Sequence, residues 1–367
     1  MRIDIRNKLS EETSVLLDAI RFSAALAVLI GHFTQPAFSA VWPNLTTFSI
    51  AAVGAFFVMS GFVIEYTHTR HPDLKDFARA RLIRLWSVVI PALLYTAIVD
   101  YISWSCNPSY YAEWQKPIID NSLAFIADVG FFNESWAQEL SFGSDNPIWS
   151  LGYEASYYAI FGVTVYLRGP WRLLAIAGIA VAKGPQIFIL LPIWLLGVLT
   201  CKIALYGENH RVSSYFGVVL FIFSAMVLFF GKKDNTYKLQ VAMDGLPGGA
   251  GHSPFFFTML SCGLATSAFV LLSNDVRKYW GPAMLYVRQP IQWLAQSTFS
   301  IYLFHLPTLI LIQAVTGYSR SSVGAKTMAL VSTFVICLAL SFATERKKSW
   351  WDAPVRRLLR IPNTTTP

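Results

Sequence analysis

Residues 21–32 read RFSAALAVLIGH, in which an arginine and a histidine enclose apolar residues, one serine and one glycine. An α-helix turns about 100° and rises about 1.5 Å per residue, so Arg21 and His32 lie within roughly 20° of the same face. Ionisable side chains inside a bilayer are costly and almost always face the bundle interior or a water-filled cavity. The stretch therefore predicts a membrane-spanning helix with one polar face that points toward other helices.

The composition also indicates a membrane protein. The 367 residues are 54% hydrophobic and only 14% charged, whereas soluble domains carry about 25% charged residues. The net charge of +8 is explained by basic loops on the cytoplasmic side of a membrane, so no nucleic-acid partner is predicted. Four cysteines stand far apart without a CxxC pattern and are expected to be free thiols.

Apolar runs near twenty residues in length, enough to cross a bilayer as a helix, predict an all-α polytopic membrane protein with about ten transmembrane helices. The spans are placed at 14–33, 47–66, 83–103, 148–167, 171–182, 185–201, 214–230, 255–273, 294–316 and 326–343. The stretch 118–133 carries two aspartates and is interpreted as interfacial or re-entrant.

The charges of the loops predict the orientation of the chain. With both termini cytoplasmic, the basic loop 67–82 lies inside and the connection 104–147 lies outside. The loop 231–240 fits poorly, because its lysines would lie outside. No internal repeat is evident, so residues 1–367 are expected to form one integral membrane domain that ends in a basic cytoplasmic tail, 345–367.

Five stretches resemble, in order, motifs of the acyltransferase-3 family of integral membrane acyltransferases. They are LDAIRFSAALAVLIGHF (17–33), VGAFFVMSGFVI (53–64), FARARLIRLW (77–86), IWSLGYEASYY (148–158) and STFSIYLFHLP (297–307). The resemblance implies O-acyl transfer, most often of acetyl, from cytosolic acyl-CoA to a hydroxyl of a cell-surface glycan or lipid-linked sugar. It also implies a bacterial inner membrane and the stand-alone type of chain, without an SGNH hydrolase-like domain.

Acyl transfer to a hydroxyl needs a base to accept its proton and a means to stabilise the oxyanion. His32 is the candidate general base. Glu154, expected at a similar depth, would orient the imidazole as a carboxylate does in serine proteases; its alternative is a solvated residue at the membrane rim. Arg21 would hold the donor or brace the site through Asp18, and a purely structural ion pair is the alternative.

The donor site is predicted at the cytoplasmic start of the third span. Guanidinium groups bind phosphates bidentately, and Arg79, Arg81 and Arg84 stand where the phosphates of cytosolic CoA would arrive. An ordinary basic flank of a transmembrane helix is the alternative interpretation.

Other polar residues of the motifs are expected to contact substrate or to support the site, and His305 is favoured as a structural or supporting residue. They are Ser60, Trp149, Ser150, Tyr302 and His305. Ser60 is equally compatible with close helix packing. The remaining histidines are interpreted as incidental loop residues: His68, His71, His210 and His252. No set of histidines and carboxylates predicts a metal.

Two functions of other classes stay open. A glycan or lipid transporter would explain many helices with buried charge, and a scaffold subunit of a polysaccharide-synthesis complex needs no chemistry. Transporters often contain inverted repeats, and the sequence shows no clear repeat. The acceptor, the acyl chain and the oligomeric state are left open by the sequence.

Overall fold

The computed structural model of the chain describes residues 9–112, 118–136, 138–206, 210–230, 255–274 and 276–361. These residues are mainly helical, with one short antiparallel ribbon of β1 (Glu134–Ser135) and β2 (Gln138–Glu139). The predicted all-α class of an integral membrane protein is confirmed. Residues 1–8 and the loop 231–240, on which the predicted orientation drew, lie outside the described residues.

The described helices are numbered in chain order. They are α1 (Glu11–Phe33), α2 (Thr46–Thr67), α3 (Leu74–Cys106), α4 (Pro108–Tyr111), α5 (Ile118–Val129), α6 (Trp149–Tyr166), α7 (Pro170–Lys183), α8 (Ile187–Tyr206), α9 (His210–Phe230), α10 (Phe256–Ser273), α11 (Arg277–Tyr286), α12 (Arg288–Ala295), α13 (Thr298–Thr316), α14 (Val323–Ala343) and α15 (Asp352–Leu358). Short 3₁₀ helices lie at His68–Arg70, Asn146–Ile148 and Glu345–Trp351.

Eight of the described helical segments are long and apolar enough to cross a membrane. They correspond to helices α1, α2, α3, α8, α9, α10, α13 and α14, in some cases with adjoining residues. The predicted spans 148–167 and 171–182 correspond to α6 and α7, which have 18 and 14 residues. Helix α7 reaches only about 21 Å at 1.5 Å per residue. The stretch 118–133 contains α5, whose 12 residues are too few to cross a hydrocarbon core of about 30 Å.

Two helix boundaries differ from the prediction. Helix α3 starts at Leu74, well before the predicted position 83, because Asp73 caps it by accepting a hydrogen bond of 2.8 Å from the backbone N–H of Asp76. The arginine-rich entry is therefore part of the helix. The predicted span 294–316 is broken between α12, which ends at Ala295, and α13, which begins at Thr298.

The chain divides into two compact units. Unit 1 comprises Met1–Val28, Thr47–Thr69 and Phe188–Thr298. Unit 2 comprises Leu29–Thr46, Arg70–Ile187 and Phe299–Pro367. Unit 1 thus holds most of α1 together with α2 and α8 to α12, whereas unit 2 holds the last turn of α1, helices α3 to α7 and helices α13 to α15.

Glycines bring helix backbones into close contact within unit 1. A Cβ atom at Gly61 of α2 would collide with the carbonyl oxygen of Trp194 of α8, and one at Gly197 would collide with that of Val58. The Ser60 hydroxyl accepts a hydrogen bond of 3.1 Å from Nε1 of Trp194 in the same interface. Small residues allow such a close approach of helices in membrane proteins, and Ser60 lies in this packed interface.

Candidate active site

Two histidines from α1 and α13 are in hydrogen-bond contact within unit 2. Nδ1 of His32, in the last turn of α1, lies 3.0 Å from Nε2 of His305 on α13. The two rings are 4.9 Å apart and tilted by 45°. His305 is fully buried, whereas His32 is partly exposed. Of the two rings, His32 is therefore the more accessible one.

The hydrogen bonds of His305 determine which ring nitrogen of His32 accepts a proton. Nδ1 of His305 lies 3.0 Å from the carbonyl oxygen of Ile301. A carbonyl only accepts, so Nδ1 carries the hydrogen, and the lone pair of a neutral His305 is on Nε2. That lone pair accepts the Nδ1–H of His32. The proton-accepting lone pair of His32 is consequently on Nε2.

Tyr302 fixes α13 against the start of α6. Its hydroxyl donates to the carbonyl oxygen of Pro147 at 3.0 Å and accepts from Oγ of Ser150 at 2.7 Å. Trp149, beside this contact, packs edge-on against Tyr153 with ring centroids 5.7 Å apart. Because Tyr302 lies one turn before His305, these contacts set the depth and rotation of the buried imidazole.

Glu154 continues the polar face of α6 toward the arginines. It is buried, and its carboxylate accepts a hydrogen bond from the hydroxyl of Tyr158. It also interacts electrostatically with Arg81 and Tyr302. Ser150, Glu154 and Tyr158 are spaced four residues apart and so share one helix face. This face joins the surroundings of the histidine pair to the predicted donor site.

The three candidate arginines have different environments. Arg79 binds two carboxylates, with Nη2 2.7 Å from Oδ1 of Asp76 and Nη1 in direct contact with Asp352. Its charge is thus compensated. Arg84 lies over the ring of Phe299, with the guanidinium carbon 5.0 Å from the centroid. The three guanidinium groups therefore differ in how far their charge is compensated.

Arg81 is held by a histidine that looked incidental in the sequence. Nη2 of Arg81 lies 3.2 Å from Nε2 of His71, and Nδ1 of His71 lies 3.0 Å from Oδ2 of Asp76. Among the described residues, no carboxylate comes within 4 Å of the Arg81 guanidinium, which stacks 5.5 Å from the centroid of Phe77. The loop position of His71 gave no indication of this contact.

Three candidate residues belong to unit 1. Nη1 of Arg21 lies 3.5 Å from Oδ1 of Asp18, the spacing expected for an i,i+3 ion pair. Both side chains are partly exposed. Ser60, the third candidate residue in this unit, lies in the α2–α8 interface described above.

A buried carboxyl group that no sequence pattern indicated lies near Tyr302. Asp145 is fully buried, and neither of its carboxylate oxygens has a hydrogen-bond partner. Burial, with the neighbouring carboxylates Asp128 and Asp100, raises the pKa of Asp145 above its ordinary value. Asp145 lies in a loop just before α6, and its sequence context gives no sign of burial.

No group of three or more His, Cys, Asp or Glu side chains in the described ranges is arranged to hold a metal ion. The site brings together two histidines, a tyrosine–serine contact, a buried glutamate and a guanidinium that has no carboxylate within 4 Å among the described residues.

The chain is similar in sequence to known acyltransferases. The chain is 23% identical over 330 residues to the O-acetyltransferase OatA of Staphylococcus aureus, covering 81% of this chain and 51% of OatA. It is 27% identical over 178 residues to the acyltransferase MdmB of Streptomyces mycarofaciens, covering 45% of this chain and 44% of MdmB. The chain thus spans about half the length of these relatives.

No solved structure gives a significant match to the chain. The family model described as an acyltransferase domain matches residues 15–346, a range that includes both histidines, Glu154 and the arginines of α3. The chain therefore belongs to the acyltransferase-3 family of integral membrane acyltransferases.

Proposed function

We propose that the protein is a membrane-bound O-acyltransferase. It transfers an acyl group, acetyl by analogy with OatA, from cytosolic acyl-CoA to a hydroxyl of a cell-surface glycan or lipid-linked sugar. The observation that carries the proposal is the His32–His305 hydrogen bond, which directs the basic lone pair of a partly exposed imidazole away from its buried partner.

His32 acts as the general base in this reaction. Nε2 takes the proton of the acceptor hydroxyl as the hydroxyl oxygen attacks the thioester carbonyl of the donor. The tetrahedral intermediate then expels the CoA thiolate, and the imidazolium returns the proton to the sulfur to give CoA–SH. His305 keeps the ring of His32 in the required tautomer and accepts the Nδ1–H bond throughout, so it is a positioning residue.

The arginines of α3 bind the donor from the cytosolic side. Arg81 supports this role best, because its guanidinium lacks a carboxylate partner among the described residues and is held in place by His71. Arg84, three residues further along the helix, shares its face. Arg79, compensated by Asp76 and Asp352, positions the start of α3 instead. The two relatives come from bacteria, so we place the protein in a bacterial cytoplasmic membrane.

The proposal is tested with purified protein in lipid nanodiscs, supplied with radiolabelled acetyl-CoA and the glycan of its host. Replacing His32 by alanine is expected to lower the rate of transfer by about 10²–10⁴-fold, the usual effect of losing a general base. His68→Ala is the matched control, because the His68 ring contacts the carbonyl oxygen of Glu65 in unit 1 and should leave the rate unchanged.

Mass spectrometry of surface glycans gives the corresponding test in cells. A deletion strain should lose one acyl mass, and wild type but not His32→Ala should restore it at equal membrane expression. Full restoration by His32→Ala would remove His32 as the base. Movement of the glycan or lipid across the membrane without any acyl transfer would support the transporter instead.

A further inference from the structure

Unit 2 contains an apolar cavity whose lining includes the proposed donor-binding residue Arg81. Its volume is about 330 Å³, within the range of about 300–1,000 Å³ typical of sites for small molecules. It lies between α3, α6, α7 and the turn after α5. Most of its lining is apolar, including Leu82, Leu85, Phe132, Ala159 and Ile179.

A buried lysine forms one wall of this cavity. Lys183, the last residue of α7, is only 7% exposed. Nζ donates to the carbonyl oxygen of Phe131 and lies 4.3 Å from the ring centroid of Phe132. In the part of the chain that the structure describes, no carboxylate lies within 4 Å of this ammonium, and Glu134 acts on it only at longer range. Burying an ammonium without a counter-charge is unfavourable.

An apolar cavity beside an uncompensated cation matches an amphiphile, with an alkyl chain against the walls and an anionic group on the ammonium. Two cations line the cavity, Lys183 and Arg81. Arg81 is turned toward His71, in the loop that precedes α3. Helix α7 begins within the stretch 168–172, whose two arginines predict a cytoplasmic position, so Lys183 at its other end is expected toward the outer face. The acceptor approaches from that face.

The segment next to Lys183 is connected to the histidine pair within unit 2. Two residues after Phe131, Nδ2 of Asn133 donates to the carbonyl oxygen of Ile148 at 3.3 Å. Ile148 directly precedes the Trp149–Ser150 start of α6, where Ser150 meets Tyr302. Through these contacts, the segment beside Lys183 packs against the start of α6, which Tyr302 joins to the helix that carries His305.

We propose that the cavity holds the first part of the alkyl chain of a lipid-linked acceptor sugar, with the phosphate that joins sugar to lipid bound by Lys183. The inference rests on the proposed function and selects between the two acceptor classes named there. Binding through the lipid gives the enzyme affinity for the acceptor without demanding a deep sugar pocket, and it anchors the reacting hydroxyl at the membrane surface.

The test compares two acceptors in nanodiscs: a sugar joined through phosphate to a polyprenyl chain, and the same sugar without phosphate and lipid. Wild type should use the lipid-linked sugar with the higher kcat/KM. Lys183→Gln should raise KM for that acceptor by about tenfold, the loss expected for one charge-assisted hydrogen bond. KM for acyl-CoA and turnover of the free sugar should not change, and Lys183→Arg should restore the lower KM.

Two further variants separate the cavity from general effects. Ala159→Phe fills the cavity from a position that is exposed and lines it, so it should impair only the lipid-linked acceptor. Lys202→Gln removes a lysine paired with Glu65 in unit 1 and is expected to leave both acceptors unaffected.

Equal use of both acceptors by wild type, or equal effects of Lys183→Gln on both, would overturn the cavity proposal while His32-dependent transfer still stood. Native mass spectrometry showing a phospholipid that the lipid-linked sugar does not displace would also overturn it, by making the cavity a structural lipid site. Absence of acyl transfer to any acceptor would overturn the proposed function itself.

Discussion

At the scale of single residues, exposure and hydrogen bonding give the two histidines different tasks. His305 is enclosed, and both of its ring nitrogens have assigned partners in Ile301 and His32. His32 uses one ring nitrogen for that contact and is partly exposed. A neutral imidazole in the place of an orienting carboxylate adds no negative charge to an apolar interior, where an unpaired charge is costly.

Replacing His305 by glutamine and by alanine should separate positioning from catalysis. The glutamine oxygen can occupy the position of Nε2 and accept the Nδ1–H of His32, so we expect most of kcat to be retained. Alanine leaves that N–H unsatisfied and should lower kcat by about 10–100-fold, roughly the cost of 1–3 kcal/mol for an unmade buried hydrogen bond. Steady-state kinetics should show unchanged KM values, and equal losses in both variants would contradict the positioning role.

Asp145 should lower the stability of the protein at neutral pH. Its folded-state pKa is raised by burial and by the nearby Asp128 and Asp100, so the folded state binds the proton more tightly than the unfolded state. Stability is then lost as the pH rises from about 4, the ordinary pKa of aspartate, through the folded-state value. Thermal unfolding in detergent should give Asp145→Asn a higher Tm than wild type at pH 8.

The difference in Tm between Asp145→Asn and wild type should shrink toward pH 5. Ser144→Ala is the control. The hydroxyl of Ser144 donates to Asp100 at 2.6 Å, so its removal should lower Tm, where Asp145→Asn should raise it. A lower Tm for Asp145→Asn at pH 8 would mean that the ionised carboxylate is stabilised by its surroundings.

At the scale of helices, the local sequence predicted where a helix lies in the chain better than it predicted which other helix it contacts. Hydropathy located α2 and α14 within a few residues, because apolar length alone defines them. The capped start of α3 was missed because arginines lower hydropathy without interrupting a helix. The contact between His32 and His305 was also missed: a three-residue spacing shows that Tyr302 and His305 share a face, but not which distant helix that face meets.

The glycine contacts between helices of unit 1 give a prediction about assembly. Gly61→Ala places a methyl group against the backbone of Trp194, and overpacking of this kind costs about 1–3 kcal/mol. Gly178→Ala in α7 is the matched control, since no atom lies within 4 Å of the added Cβ and alanine favours a helix. Thermal unfolding should show a lower Tm for Gly61→Ala alone; equal values would mean that the α2–α8 backbones separate without cost.

At the scale of the whole molecule, orientation in the membrane determines whether the proposed chemistry is possible. Loop charges predict that the connection 104–147 faces outward and the tail 345–367 faces the cytosol. Within unit 2, Asp352 binds Arg79, which attaches that tail to the start of α3 beside Arg81. The donor site is therefore expected on the same side of the membrane as the tail, the cytosolic side.

The cysteines allow this orientation to be measured with little engineering. Cys106 is exposed at the end of α3, whereas Cys201 and Cys337 are buried and Cys262 is partly buried. A membrane-impermeant maleimide applied to intact cells should label Cys106, and Cys106→Ser should abolish the signal. Ser349→Cys, at an exposed position in the tail, should react only after the membrane is permeabilised. The reverse pattern would put Arg81 on the outer side, where cytosolic acyl-CoA cannot reach it, and would exclude transfer from a cytosolic donor.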